Sequence, residues 1–179
     1  MISLFKKVCI ASDHGGFNLK ESIKDHLIKK NISIIDLGPL ENKTVDYPDY
    51  AKKLANRIKA KKSDVGILVC GSGTGMAISA NKIKSIRAAV CYNLKSTRLS
   101  REHNNANIIA LGARLINKKL SLKLVKIFLE TKFEGGRHLK RIKKICIASD
   151  HGGYNLKESI KDFLIKKKYI NNWPWSFRK

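Results

Sequence analysis

The stretch Val65-Gly66-Ile67-Leu68-Val69-Cys70 ends in a thiol and is followed at once by Gly71-Ser72-Gly73-Thr74-Gly75. The apolar run is too short and too β-branched for a helix of its own and reads as a buried parallel strand. Its glycines supply a tight turn whose backbone N–H groups can approach a ligand without obstruction by Cβ atoms, as in phosphate and oxyanion cradles. A cysteine at the last strand position therefore points to chemistry. The competing reading is a small, inert, buried thiol ahead of an ordinary strand-to-helix loop. Three further polar segments stand out: Ser12-Asp13-His14-Gly15-Gly16, Arg101-Glu102-His103-Asn104-Asn105, and Glu134-Gly135-Gly136-Arg137-His138-Leu139-Lys140-Arg141. Arg137 and Arg141 stand four apart and would share one helical face. Two guanidiniums so placed suit a phosphomonoester, which accepts bidentate hydrogen bonds from them.

Positioning these groups requires alternating elements. Short apolar runs at 7–11, 32–37, 65–70, 87–91 and 108–111 predict five strands. The patterns at 18–30, 47–61, 76–83, 95–103 and 118–132 predict helices, with Leu19, Ile23, Leu27 and Ile28 spaced for a buried face. Alternation of this kind predicts an α/β fold, Rossmann-like and three-layered, with a five-stranded parallel sheet and helices on both faces. Ligands of open parallel sheets bind beyond the carboxyl ends of the strands. The expectation is that the segments ending in Gly16, Gly75 and Asn105 converge on that one face.

The 179 residues suffice for one core, and 43% of them are hydrophobic. No run reaches the length of a membrane span, and residues 1–8 are not followed by a long apolar segment or a small-residue cleavage site. A soluble, cytoplasmic protein without a membrane partner is expected. Cys9, Cys70, Cys91 and Cys146 show no CxxC spacing and no histidine at metal-ligand spacing, which signals neither a zinc site nor a disulfide framework. The net charge of +23 invites a nucleic-acid reading, but the lysines are scattered over every predicted helix and no nucleic-acid-binding motif is present. Specific nucleic-acid binding is therefore not expected; weak, salt-sensitive association is.

Residues 6–30 recur at 143–167, an offset of 137, with three changes in 25 positions: Val8 to Ile145, Phe17 to Tyr154 and His26 to Phe163. The copy covers one strand-loop-helix unit and gives way to Asn171-Asn172-Trp173-Pro174-Trp175-Ser176-Phe177-Arg178-Lys179. One incomplete copy cannot bury its own apolar face. It could lie on the surface, swap into the place of residues 6–30 in a neighbouring chain, or continue a helix begun near Arg137. No second active site is expected, because Asp150 and His151 lack a cysteine loop of their own.

Taken in order, ASDHGG at 11–16, DYPDYA at 46–51, CGSGTG at 70–75, SREHNNAN at 100–107, LGAR at 111–114 and EGGRHLKR at 134–141 resemble the type B ribose-5-phosphate isomerases. That family includes isomerases of galactose and allose 6-phosphates. The resemblance runs over residues 6–144, which divides the chain into an isomerase domain at 1–144 and a partial repeat with an unrelated tail at 145–179. It implies aldose-ketose isomerisation of a sugar phosphate in the pentose phosphate pathway, with no cofactor and no metal. In that reading Cys70 is the base that moves the proton between C2 and C1, and His103 opens the sugar ring. Gly71, Ser72, Gly73, Thr74 and Gly75 supply N–H donors to the enediolate, and Asn104 adds a side-chain donor. Asp13 bonds sugar hydroxyls, while His14, Arg114, Arg137 and Arg141 contact substrate and phosphate. Tyr47 and His138 match the family less distinctively. The resemblance also implies a homodimer in which the Cys70 loop of one chain meets His103 and the arginines of the other. A six-carbon sugar phosphate, or sugar-phosphate binding without turnover, stays open as an alternative.

Overall fold

Short, mostly apolar runs form the five strands β1 (Val8–Ser12), β2 (Ile34–Asp36), β3 (Val65–Cys70), β4 (Ala88–Val90) and β5 (Ile108–Gly112) in a computed structural model that describes residues 3–142 and 154–166. All pair in parallel, in the order β2-β1-β3-β5-β4. The three central strands are buried at every position, as expected of a parallel sheet covered on both faces. Crossover helices α1 (Phe17–Lys29), α2 (Tyr47–Lys59), α3 (Thr74–Asn81), α4 (Leu94–Glu102) and α5 (Lys118–Glu130) follow the strands in turn. Each predicted element is present with its ends within about two residues, and β2 lies half-buried at the sheet edge.

Two apolar layers hold the sheet. On one face Val8, Ile10, Ile67 and Ile109 pack with Ile23 and Leu27 of α1 and with Leu124 and Phe128 of α5. On the other, Cys9, Leu68, Ile108 and Ala110 pack with Leu54 and Ile58 of α2 and with Met76 and Ala80 of α3. The alternation of inward residues along each strand assigns them to these two faces. Burial pushes the Cys9 thiol up to about 11, against smaller opposing effects of Ser63 and Arg57, and pushes Cys91 up as well. Both are therefore structural thiols.

The chain separates into two compact units. The first, Met1–Glu134, holds the sheet and α1 to α5. The second, Gly135–Lys179, contains α6 (Gly136–Ile142) and α7 (Tyr154–Lys166). α7 is helical over the same thirteen positions as its parent α1. Ile160, however, is 39% exposed, whereas its counterpart Ile23 is fully buried. Nearly identical sequence thus yields the same local structure without the same burial. The copied strand sequence, the run-on from α6, Asp150, His151 and the tryptophan-rich tail lie outside the described residues.

Candidate active site

The sheet order places β1 beside β3, with β2 continuing to one side and β5 to the other. Connections leave these two strands in opposite directions, which opens a crevice beyond their carboxyl ends. Asp13 follows β1 directly and Cys70 ends β3, so the two flank that crevice. The Asp13 N–H donates to the Val69 carbonyl at 3.2 Å, and the Gly16 N–H donates to Asp13 Oδ1 at 2.9 Å. A Cβ at Gly16 would stand 2.2 Å from the Val69 carbonyl oxygen, so only glycine lets this turn press against the end of β3.

The cysteine loop closes on its own sulfur. Gly73 adopts φ 80°, a left-handed conformation, and its N–H donates to Cys70 Sγ at 3.0 Å. That bond directs a donor at the sulfur where a thiolate would carry its charge. α3 begins at the next residue, so its first turn and the positive end of its dipole face the same loop. Of the five residues expected to serve as anion donors, Gly73 is thus committed to sulfur and the Thr74 N–H donates to Ser72 Oγ at 3.3 Å. The cradle is built around the thiol as much as around a ligand.

Arg114 leaves β5 through a turn in which the Ala113 and Arg114 N–H groups donate to the Cys70 and Gly71 carbonyls at 2.8 and 3.0 Å. Its guanidinium lies over both glycine loops: a Cβ at Gly71 would be 3.3 Å from Arg114 Cζ, and one at Gly15 would be 3.6 Å from a terminal nitrogen. Tyr47, at the start of α2, sets its ring against Gly75, where a Cβ would come within 3.0 Å of the ring and 3.4 Å of the hydroxyl. Cys70 itself is 4% exposed, while His14, Ser72, Thr74 and Arg114 are open to solvent. The result is a polar, cationic mouth over a nearly covered thiol.

His103 and Asn104 are not part of this mouth. Contrary to the expected convergence of three segments on one face, the end of α4 lies at the amino ends of the strands. The Gly66 N–H at the start of β3 donates to the Asn107 carbonyl, and the Asn107 N–H donates to Arg87 just ahead of β4. The reason is topological: a crossover helix runs antiparallel to the strands and returns the chain to the edge where the next strand begins. With five residues in β5 at about 3.3 Å each, the two edges are on the order of 15 Å apart. One chain therefore carries Asp13, Cys70, Tyr47 and Arg114 at one edge and His103 and Asn104 at the other.

The amino-end corner has its own order. His103 Nε2 lies 3.8 Å from Glu134 Oε2, and the Glu134 N–H donates to the Glu102 carbonyl at 3.1 Å. Nearby, a groove of about 460 Å³ is lined by Arg98, Glu102, Glu130, Lys132 and Glu134. Sequence reasoning missed Glu134 as a neighbour of His103, since the two are far apart in the chain; its place four residues past the end of α5, where the chain also returns to the amino edge, is the signal that could have found it. Arg137 and Arg141 are exposed and share a face of α6 within the second unit.

Residues 8–145 match the family model described as Ribose/Galactose Isomerase. Ribose-5-phosphate isomerase B of Escherichia coli is 41% identical over 140 residues, covering 78% of this chain and 94% of that protein. The crystal structure of a Thermotoga maritima ribose 5-phosphate isomerase superposes with a TM-score of 0.75 at 50% identity, covering 76% of this chain and 94% of its own. That of Mycoplasma genitalium ribose-5-phosphate isomerase B, with ribulose-5-phosphate bound, gives 0.72 at 38% identity over 87% of this chain and 96% of its own. The matched span contains the whole sheet and every loop of the crevice, so this chain belongs to the ribose/galactose isomerase family.

Proposed function

We propose that the chain interconverts D-ribose 5-phosphate and D-ribulose 5-phosphate, with Cys70 as the base, in sites shared between two chains of a homodimer. The observation that carries this reading is the Gly73 N–H donating to Cys70 Sγ at 3.0 Å in the crevice that also holds Asp13 and Arg114. The ribulose-5-phosphate bound to the Mycoplasma genitalium relative supports the substrate. The Cys70 thiolate takes the proton from C2 of the open-chain aldose, and the C2–H electron pair forms the C1–C2 double bond of the enediolate. Charge collects on O1, toward the glycine loop and the amino end of α3; the O2 proton passes to O1, and the sulfur returns its proton to C1 as the C2 carbonyl forms. Nothing is oxidised or reduced by an outside agent.

Ring opening asks for an acid at the ring oxygen, and His103 supplies it with Asn104 as a neighbouring donor. Because these residues sit at the opposite edge of their own sheet, a second chain presents them to the Cys70 mouth. This is the physical argument for the dimer. Asp13 and His14 bind sugar hydroxyls, Tyr47 borders the pocket, and Arg114, Arg137 and Arg141 take the phosphate. We assign the isomerase domain to 1–144 and leave residues 145–179 without a catalytic task. We also place the enzyme in the cytoplasm, where the three buried free thiols among the described residues, Cys9, Cys70 and Cys91, stay reduced. No helix among the described residues is long and apolar enough to cross a membrane.

The test is the appearance of ribulose 5-phosphate from ribose 5-phosphate by the full chain and by Cys70→Ala at equal folded concentration. Turnover in the wild type and a loss of about 10²- to 10⁴-fold in the variant are expected. Turnover that survives Cys70→Ala would overturn the assignment of the base, and no turnover in the wild type would overturn the substrate.

A further inference from the structure

Arg101, two residues before His103, is 4% exposed and has no carboxylate partner among the described residues. Its Nε–H donates to the Thr131 carbonyl at 3.3 Å, and Nη1 donates to Asn105 Oδ1 at 3.0 Å and to the Ala106 carbonyl. The guanidinium is held between two rings, with Phe5 and Phe128 centroids 5.0 and 5.5 Å away. Burial, aided by Arg87, pushes it down to about 10, still protonated at neutral pH. A full charge buried against carbonyls and aromatic faces is costly to install and is an inefficient way to fill a core. What it achieves is a fixed spacing between two segments: 105–106, which follows His103 and Asn104, and 131, three residues before Glu134. Arg87 reinforces one side, its Nε–H donating to the Asn105 carbonyl at 2.9 Å. Asn105 itself is held at φ 46°, a left-handed turn that directs the chain away from α4.

We infer that Arg101 is a positioning residue that sets the geometry of His103 against Glu134, and so governs ring opening while leaving proton transfer at Cys70 largely alone. This rests on the proposed isomerase reading. Lysine keeps the charge at this position but replaces a planar fork by one point donor, which cannot span the Thr131 and Asn105–Ala106 acceptors together. A misplacement of about an ångström at a reacting group can cost on the order of 10²-fold.

The two steps can be read separately because ribulose 5-phosphate, with O5 esterified, has no furanose ring to open. Exchange of its C1 proton for deuterium in deuterium oxide needs only the proton-transfer half of the reaction. In the full chain, Arg101→Lys is expected to lower conversion of ribose 5-phosphate by about 10- to 100-fold while C1 exchange falls by less than about 3-fold. Should Arg101→Lys fail to fold, Asn105→Gly removes one acceptor, keeps the left-handed turn, and is expected to produce the same split at about 3- to 10-fold. Conversion and exchange that fall together would mean a merely structural role, and conversion that does not fall would mean none; either overturns the inference. A wild-type chain with neither conversion nor exchange would instead overturn the proposed function on which it rests.

Discussion

The two edges of the sheet hold their functional groups by different means. At the carboxyl edge, Asp13 and Cys70 are fixed by backbone N–H groups and glycines, and the adjoining β2 end is secured by Lys20, which is fully buried yet paired with acids. Lys20 Nζ lies 2.8 Å from Asp36 and 2.6 Å from Glu21, and donates to the Pro39 carbonyl at 2.9 Å. At the amino edge, the buried cation Arg101 meets carbonyls, an amide and two rings, with no carboxylate among the described residues. One edge is a balanced ion network around a backbone cradle; the other is a guanidinium staple between loops. The first can be formed by one chain for its own thiol, while the second presents a histidine that its own thiol never reaches.

The strongest way to break this comparison is to ask whether the two edges must come from different chains. Cys70→Ala and His103→Ala are each expected to be nearly inactive. Mixed in equal amounts and allowed to exchange subunits, they should regain about a quarter of wild-type activity, since half the dimers are mixed and each has one intact site. No recovery, with exchange verified by native mass spectrometry, would mean that the edges act independently.

The ion network offers a second contrast. Burial by itself would raise the Asp36 carboxyl, but Lys20, the Gly38 N–H and Lys24 together outweigh it and hold Asp36 below the usual carboxylate range. A carboxyl lowered in the folded state adds stability that is fully present above its unfolded value, near 3.9, and lost as pH falls through the folded one. Asp36→Asn should therefore cost about 2–3 kcal/mol at pH 7, with Glu21 still compensating Lys20, and should flatten the loss of stability below about pH 4. Urea titrations from pH 7 to 3 check both; an unchanged acid limb would mean that this edge does not depend on the pair.

The smallest effect sharpens the amino edge. Asn93 Oδ1 accepts the Ser96 N–H at 2.8 Å and caps α4, the helix that delivers His103. Asn93→Ala should cost about 1 kcal/mol in thermal or urea unfolding with Cys70-dependent proton exchange intact.

Periodicity was enough for the five strands, the five crossover helices and the two-faced core, because burial on both sides of a parallel sheet leaves unbroken β-branched runs and because amphipathic spacing marks each helix. The cysteine loop was equally legible: Gly71, Gly73 and Gly75 after an apolar strand have a local backbone reason to be there, and Cys70 needs no distant residue to be noticed. The four-residue spacing of Arg137 and Arg141 marked them for a phosphate, and the resemblance gave His103 its expected role. It was the topology of a crossover that moved His103 to the far edge, and no count of residues along the chain reveals that an antiparallel return separates a helix end from the strand ends it was expected to join. Nor could spacing pair Arg101 with Thr131, or Glu134 with His103, since those contacts are made only when α4 and α5 pack side by side. The duplicated segment draws the same line: its sequence determined a helix at Tyr154–Lys166, because local propensity travels with the residues. Whether Ile160 is covered as Ile23 is was decided by packing, because burial depends on which surface the helix meets.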